Sequence, residues 1–412
     1  MMLVRLSTGW YWNRDREETL FMNKLDRKIF GVLFFSILAA VMGVGIVVPL
    51  LPVYAHDLGA GGVYIGLIFG AFSLSRTFFL PYFGSLSDKK GRKPLITSGL
   101  FAYSVISFAF IFSKSVESLV ILRFIQGIAS AMIMPVAMAY VGDITPKGRE
   151  GFSMGVFNMS IFIGLSIGPL VGGVINDHFS LQAAFASMCF LAMIGFVLSL
   201  VLLPPTKSER VISREKTPTG WKYLLKDREI AGLCFFRFTY TACIGIIWGF
   251  LPVFADLEFS IPSSSIGILV MLAVFISGLI HTPMGMLADR INREMMVLTG
   301  GLLTSFAIFS FVWSKDFWDL LLANVIFGLG GGIAMPAMMA LAVIKGSSAE
   351  AMGSMMALLT MAHSLGMLAG SLGAGITMDM FQLRQAFSVG TILMLIGVVL
   401  FVYCMYEKRT PP

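Results

Sequence analysis

The fold class this sequence predicts is an all-α membrane protein, twelve transmembrane helices in two pseudo-symmetric six-helix bundles, and three observations predict it. Of the 412 residues, 57% are apolar and 13% charged, which lies outside the range of soluble domains. The apolar runs repeatedly exceed the roughly 20 residues that a helix needs to cross a bilayer. The chain also repeats itself at an offset of 201 residues. Lys-Lys-Gly-Arg after Asp88 returns as Arg-Ile-Asn-Arg after Asp289, Gly84 as Gly285, Gly127 as Gly328, Pro135 as Pro336, and Asp26-Arg27 as Asp227-Arg228.

Taken in order, the spans fall at 29–54, 64–86, 94–113, 117–142, 151–176 and 182–204, then at 229–255, 264–286, 295–313, 317–344, 351–378 and 384–406. This divides the chain into a tail at 1–28, a bundle at 29–204, a linker at 205–228, a second bundle at 229–406 and a tail at 407–412. The linker is rich in Lys, Arg, Glu, Ser, Thr and Pro, and Trp221, Tyr223 and Leu224 suggest a short interfacial helix within it. Every other connection is short and leaves no room for a soluble domain. Six spans per half is an even number, so the halves enter the membrane in the same orientation, as parallel repeats do. A duplicated bundle of this kind is the layout of secondary transporters, whose halves rock around a site at their shared interface.

The 30 Lys and Arg set the orientation, because basic residues near span ends are retained on the cytoplasmic side. The N-terminal tail, the even-to-odd connections and the C-terminal tail hold 24 of them. The other connections hold only Lys114, Lys315 and Arg384, and the last three, Arg76, Arg123 and Arg237, lie inside spans. Both termini are therefore expected in the cytoplasm of a multi-pass protein of the cell membrane. The net charge of +7 is a topology signal and does not point to a nucleic-acid partner. Cys189, Cys234, Cys243 and Cys404 all sit in apolar spans, as buried small hydrophobes do, and suggest neither disulfides nor a metal site. Residues 1–21 lack the apolar core of a signal peptide, and Met22-Asn23-Lys24 reads as an alternative start.

Four motifs carry the chemistry. Between spans 2 and 3 stands Gly84-Ser-Leu-Ser-Asp88-Lys-Lys-Gly91-Arg92-Lys93. Its glycines permit close helix approach and a tight reversal, its aspartate can neutralise a facing helix end, and its basic residues anchor the loop. The weaker second copy runs from Gly285 through Asp289 to Arg293, with Asn292 in place of the glycine, and Asn is the next most tolerant residue of left-handed backbone. Span 4 opens Arg123-Phe-Ile-Gln126-Gly127 and continues through Pro135 to Asp143, Pro146 and Arg149. A guanidinium at that depth costs a few kcal/mol unless it points into the bundle onto polar acceptors. Span 5 carries Gly155, Gly164, Gly168-Pro169 and Gly172-Gly173; three of these glycines stand four apart, as a stripe that lets helices touch, and the proline invites a kink. Span 1 ends with Gly43, Pro49 and Pro52.

The first motif resembles the signature loop of the major facilitator superfamily. The Arg123 segment looks like that family's second motif, in which the arginine is associated with proton coupling; a hydrogen-bonded clamp between helices 1 and 4 is the equally weighted structural role. The span 5 pattern matches at every position the antiporter motif of drug:proton exporters, and span 1 is similar to the twelve-helix branch of those exporters. A paler echo of the stripe, Gly366, Gly370 and Ala374, marks span 11. The resemblance implies alternating access driven by the proton gradient, with no bound cofactor or metal, and a monomer whose partners are protons, a small-molecule substrate and the bilayer.

One departure shapes the substrate reading. All 23 Asp and Glu lie in loops or near span ends, whereas the ionisable groups at mid-membrane are Arg76, Arg123, Arg237, His281 and His363. Such an inventory favours neutral or anionic amphiphiles over cations. His281, and less so His363, could carry the proton, although a lone histidine in a span is commonly a hydrogen-bonded packing residue. Gln126, Asp88 and Asp143 complete the coupling candidates. Arg76, Arg237, Tyr240, Trp248, Asn158 and Asn324 are cavity candidates by helix position, and the 28 Met and 36 Phe suit a site that repacks around varied lipophiles.

Two transport readings follow: a proton-coupled exporter of lipophilic molecules, or a transporter of an anionic or zwitterionic solute held by Arg76 and Arg237. An enzyme would need a converging nucleophile, base or metal set, and the sequence offers none.

Overall fold

The computed structural model describes residues 23–146, 150–204, 226–348 and 352–406. Most of both tails, the linker body with Trp221, Tyr223 and Leu224, and Arg149 lie outside the described residues. Among those described there are twelve membrane-length helices and no strand. They are α1 Lys24–Asp57, α2 Gly62–Lys90, α3 Arg92–Phe110, α4 Val116–Ile144, α5 Glu150–His178, α6 Leu181–Leu202, α7 Arg228–Phe259, α8 Ser263–Ala288, α9 Arg293–Trp313, α10 Phe317–Ser348, α11 Met352–Met380 and α12 Leu383–Tyr406.

Several helices outrun their apolar stretches because polar caps satisfy the ends beyond the hydrocarbon. The Asn23 side chain accepts from the Asp26 amide at 2.7 Å and starts α1 five residues before the expected span. Asp227 accepts from the amides of Glu229 and Ile230 at 2.9 and 3.4 Å and starts α7. That helix ends at Ser260, whose φ of 50° turns the chain toward α8.

The repeat in the sequence is a repeat in space. In the first bundle α1 packs on α5 and α6, α2 on α4, and α3 on α4 and α6; in the second α7 packs on α11 and α12, α8 on α10, and α9 on α10 and α12. The correspondence holds at single residues. A side chain at Gly127 on α4 would run into residues 72 and 75 of α2, and one at Gly328 on α10 would run into residues 273 and 276 of α8, each 201 positions on. The bundles meet along three seams, α2 with α11, α5 with α8, and α1 with α7.

α1 begins and α12 ends on one face of the bundle, here the termini-bearing face. The tightest seam contacts lie toward the opposite face: a Cβ on Gly66 would stand 2.9 Å from the Ser371 carbonyl carbon, and one on Gly267 3.1 Å from the Leu170 Cα. Arg384 braces that face within the second bundle. It pairs with Glu258, its Nη1 donates to the carbonyls of Val312 and Ser314 at 2.9 and 3.1 Å, and it lies over the ring of Phe254, tying α7, α9 and α12 together. At the termini-bearing face Lys345 of α10 pairs with Glu229 of α7.

Candidate transport site and its gates

Four ionisable side chains from both bundles gather around the seam. Arg237 of α7 donates through Nη2 to His363 Nδ1 of α11 at 3.2 Å and through Nη1 to the Met335 sulfur of α10 at 2.8 Å. Because arginine has donors only, that His363 nitrogen carries its lone pair and the ring is neutral. Arg76 of α2, in the other bundle, is within Coulombic reach of His363, as Arg237 is of His281. The imidazole of His281 on α8 lies 5.6 Å from the ring of Phe162 on α5, so it too stands at a seam. All four are half-buried. The Arg76 Nε and the His281 Nδ1 are buried with no hydrogen-bond partner among the described residues. Every described Asp and Glu lies near a helix end, so none offsets this cluster.

Arg123 behaves differently. It is 4% exposed, donates to the Ile68 carbonyl at 3.3 Å and to Gln126 Oε1 at 2.9 Å, and lies over the rings of Phe69 and Phe72. Its anchor is α2, not the helix 1 that the clamp role assigned, because the long side chain runs along the α2–α4 contact. Gln126 is fully buried beside it. Of the cavity candidates, Asn158 is one turn from Phe162, whose ring meets Gly278 and His281, and so faces the α5–α8 seam. Trp248 is partly buried against the core. The structure does not put Tyr240 or Asn324 on an accessible wall. Tyr240 stacks on Phe327 inside the second bundle at 5.9 Å, and Asn324 is fully buried, donating to the Leu320 carbonyl of its own helix at 2.8 Å. Position along a helix does not give the face of the helix, and here that face is packed.

The signature loop is built as its composition suggests. Gly91, with φ 91°, ends α2 and starts α3 in one residue, a backbone conformation that suits glycine. The reversal buries Arg92, which bonds Asp88, Ser87 and, at 3.0 Å, Asp143 of α4, so one guanidinium ties three helix ends. Gly84 has open space around it. In the second copy Asp289 and Arg293 keep an exposed pair at 3.5 Å. Asn292 does not adopt the left-handed backbone expected of it. Its φ is −65°, and its side chain caps α9 through the amides of Glu294 and Met295, a role glycine cannot fill. Asp88→Asn removes a half-exposed charge, so it is expected to leave folding within about 1 kcal/mol of wild type yet cut flux severalfold. Undiminished flux in vesicles holding equal protein would count against a gating role for this loop.

Sequence reasoning missed a pair of latches at the opposite face. Asp379, at the end of α11, accepts from the amides of Gly62 and Val63, the first turn of α2, at 2.6 and 2.9 Å. Asp177, at the end of α5, accepts from the amides of Ser263 and Ser264, the first turn of α8, at 3.1 and 2.8 Å. Neither α2 nor α8 has a side-chain cap of its own, so each helix start is closed by the other bundle. A carboxylate there also meets the positive end of the helix dipole. Asn176 adds a bond to Ser263 at 2.9 Å. The signal lay in the sequence as Asp177-His-Phe179 and Asp379-Met-Phe381.

The sequence profile of the Major Facilitator Superfamily matches residues 33–258 and again 233–412. The chain belongs to that superfamily. It is 31% identical over 326 residues to an uncharacterised MFS-type transporter of Methanocaldococcus jannaschii, covering 78% of this chain and 84% of that one. It is 27% identical over 330 residues to the quinolone resistance protein NorA of Staphylococcus aureus, covering 76% and 81%. Its fold is similar to that of a bacterial homologue of the human lysosomal transporter Spinster in an inward-facing, unoccupied conformation, with a TM-score of 0.80 at 13% identity, over 95% of this chain and 99% of that one. Members of this superfamily are transporters, and this chain is an integral membrane transporter rather than an enzyme.

Within the superfamily fold the three stripe glycines of span 5 do not line the interface between the bundles. Gly164, Gly168 and Gly172 pack on α1 of their own bundle, against Leu38 to Ile46. The adjacent face of α5 makes the seam, with Pro169 and Leu170 against Gly267 and with Gly173 against Ser263 and Ser264 of α8. Gly155 has open space. The echo on α11 repeats this, Gly366 and Gly370 packing on Phe238 and Ala242 of α7. These stripes make α1–α5 and α7–α11 stiff pairs, so that each bundle can move as a unit.

Proposed function

We propose that this transporter is a proton-coupled exporter of lipophilic small molecules working by alternating access, with both termini in the cytoplasm and one chain as the working unit. The observation that carries the reading is the seam. Two bundles, each stiffened by a glycine-packed helix pair, are latched by Asp177 and Asp379 at the face away from the termini, while their ionisable cluster sits deeper between them. The likeness to NorA, named for quinolone resistance, and the span 5 spacing support the direction of transport. Opening the termini-bearing face admits cargo from the cytoplasm, and breaking the latches as that face closes releases it outside.

The test is uptake of a lipophilic dye into inverted membrane vesicles under an imposed proton gradient. Uptake that needs the gradient and collapses with a protonophore is expected, and uptake indifferent to both would refute proton coupling. His281→Ala is expected to flatten the pH dependence between about pH 5 and 8, the range in which an imidazole changes charge. The charged and titratable groups around His281 are Arg237 and, through it, His363 and Arg76. An unchanged profile would remove His281 from the coupling.

A further inference from the structure

The ionisable groups at the centre of the seam are unbalanced. Arg76 comes from α2 of one bundle and Arg237, His281 and His363 from α7, α8 and α11 of the other, and every described carboxylate is near a helix end. A guanidinium in a low-dielectric interior costs much unless it meets acceptors or an opposite charge. Arg123 shows how this chain settles such a cost by itself, with a carbonyl, an amide oxygen and two aromatic faces. Among the described residues Arg237 meets a thioether, which is a weak acceptor, and a neutral ring nitrogen, with no opposite charge, and the buried Arg76 Nε and His281 Nδ1 have no partner. The two arginines are thus donors with no anionic acceptor, and two histidines stand beside them.

Depth supports a shared site. Leu368 of α11 meets Gly70 of α2, so His363, five residues back, and Arg76, six residues on, both lie about 8 Å nearer the termini-bearing face. Around them the surfaces are apolar: Phe162 packs on His281, and Met335 lies against Arg237.

We propose that Arg76 and Arg237, with His281 and His363 beside them, form a binding site for the oxyanion headgroup of an amphiphilic substrate, its apolar body resting against the Phe and Met surfaces around them. A carboxylate or phosphate would accept from Arg76 and Arg237 together and so be held by both bundles at once. Charge-assisted bonds of this kind are about twice as strong as neutral ones. An inside-negative membrane potential drives such an anion outward, in accord with export. The proposal rests on the export reading and narrows its lipophile to one bearing a negative head.

The experiment uses the purified full chain in nanodiscs and a fluorescent C11 amphiphile with three heads: a carboxylate, its methyl ester and a trimethylammonium. Wild type is expected to bind the carboxylate at least about tenfold tighter than the ester, and the cation weakest. Arg76→Gln and Arg237→Gln should each erase most of that preference while weakening ester binding far less, and Arg76→Lys should keep part of it. Retained ester binding also shows that the variants are folded. Equal binding of the three heads by wild type, or an unaltered carboxylate preference in both glutamine variants, overturns the site. The export reading stands or falls separately: carboxylate selectivity without vesicle uptake would sink export and spare the site, and uptake blind to headgroup charge would do the reverse.

Discussion

Replacing Gly168 by leucine is expected to leave little folded protein in the membrane. A Cβ at this position would stand 2.8 Å from the Gly45 Cα and 2.5 Å from the Met42 carbonyl oxygen, so the obstacle is backbone, which no rotamer change relieves. The two helices would have to separate along a pair that packs over much of its length. Overpacking of this kind costs about 3 kcal/mol, and more where the collision is with main chain. Gly155→Leu, about three and a half turns toward the termini-bearing face of the same helix, meets open space and is expected to be tolerated. Thermal unfolding followed by size-exclusion chromatography separates the two. A Gly168→Leu protein as stable as wild type would mean that α1 and α5 do not approach as described.

Removing both latches, Asp177→Ala with Asp379→Ala, is expected to free the opposite face. Each carboxylate satisfies two amides of a helix that has no other side-chain cap, a role worth about 1 to 2 kcal/mol. Together they bias the balance between closed and open by about 2 to 4 kcal/mol, a shift of roughly 30-fold or more. Ser371, fully buried in the α2–α11 seam, reports the change as a cysteine in an otherwise cysteine-free chain. A membrane-impermeant maleimide applied to that face should label it at least about tenfold faster in the double variant. An unaltered rate would show that the latches do not hold the seam.

The fold was legible because the bilayer imposes strong rules. Apolar runs of spanning length and the 201-residue repeat give the twelve helices and the two bundles, and equivalent glycines such as Gly127 and Gly328 prove to be equivalent contacts. The signature loop was legible as well, since a reversal of one residue needs Gly91 and basic residues must pair with Asp88 and Asp143. Azimuth was not. Sequence position put Arg123 against helix 1, yet a side chain of that length reaches whichever neighbour offers acceptors, here Ile68 of α2. Tyr240 and Asn324 were chosen by helix number and turned out to face the packed interior. Asp177 and Asp379 escaped notice because a carboxylate at a span end looks like an ordinary loop charge. The Asp-x-Phe echo marks the two as a pair, but what they do is set by the partner helix, nearly 90 residues away for Asp177 and more than 300 for Asp379.

The central claim is that the two bundles move as stiff bodies about the arginine–histidine cluster, opening one face as the other closes. Double electron–electron resonance measures this directly with two spin-label pairs on exposed sites. One pair is Phe179 with Phe381 at the opposite face, and the other is Phe152 with Met286 at the termini-bearing face. Between alkaline and acidic pH, with and without a lipophilic substrate, the account predicts that the first distance lengthens in the conditions where the second shortens. Distances that stay fixed in every condition, or that rise and fall together, would contradict it.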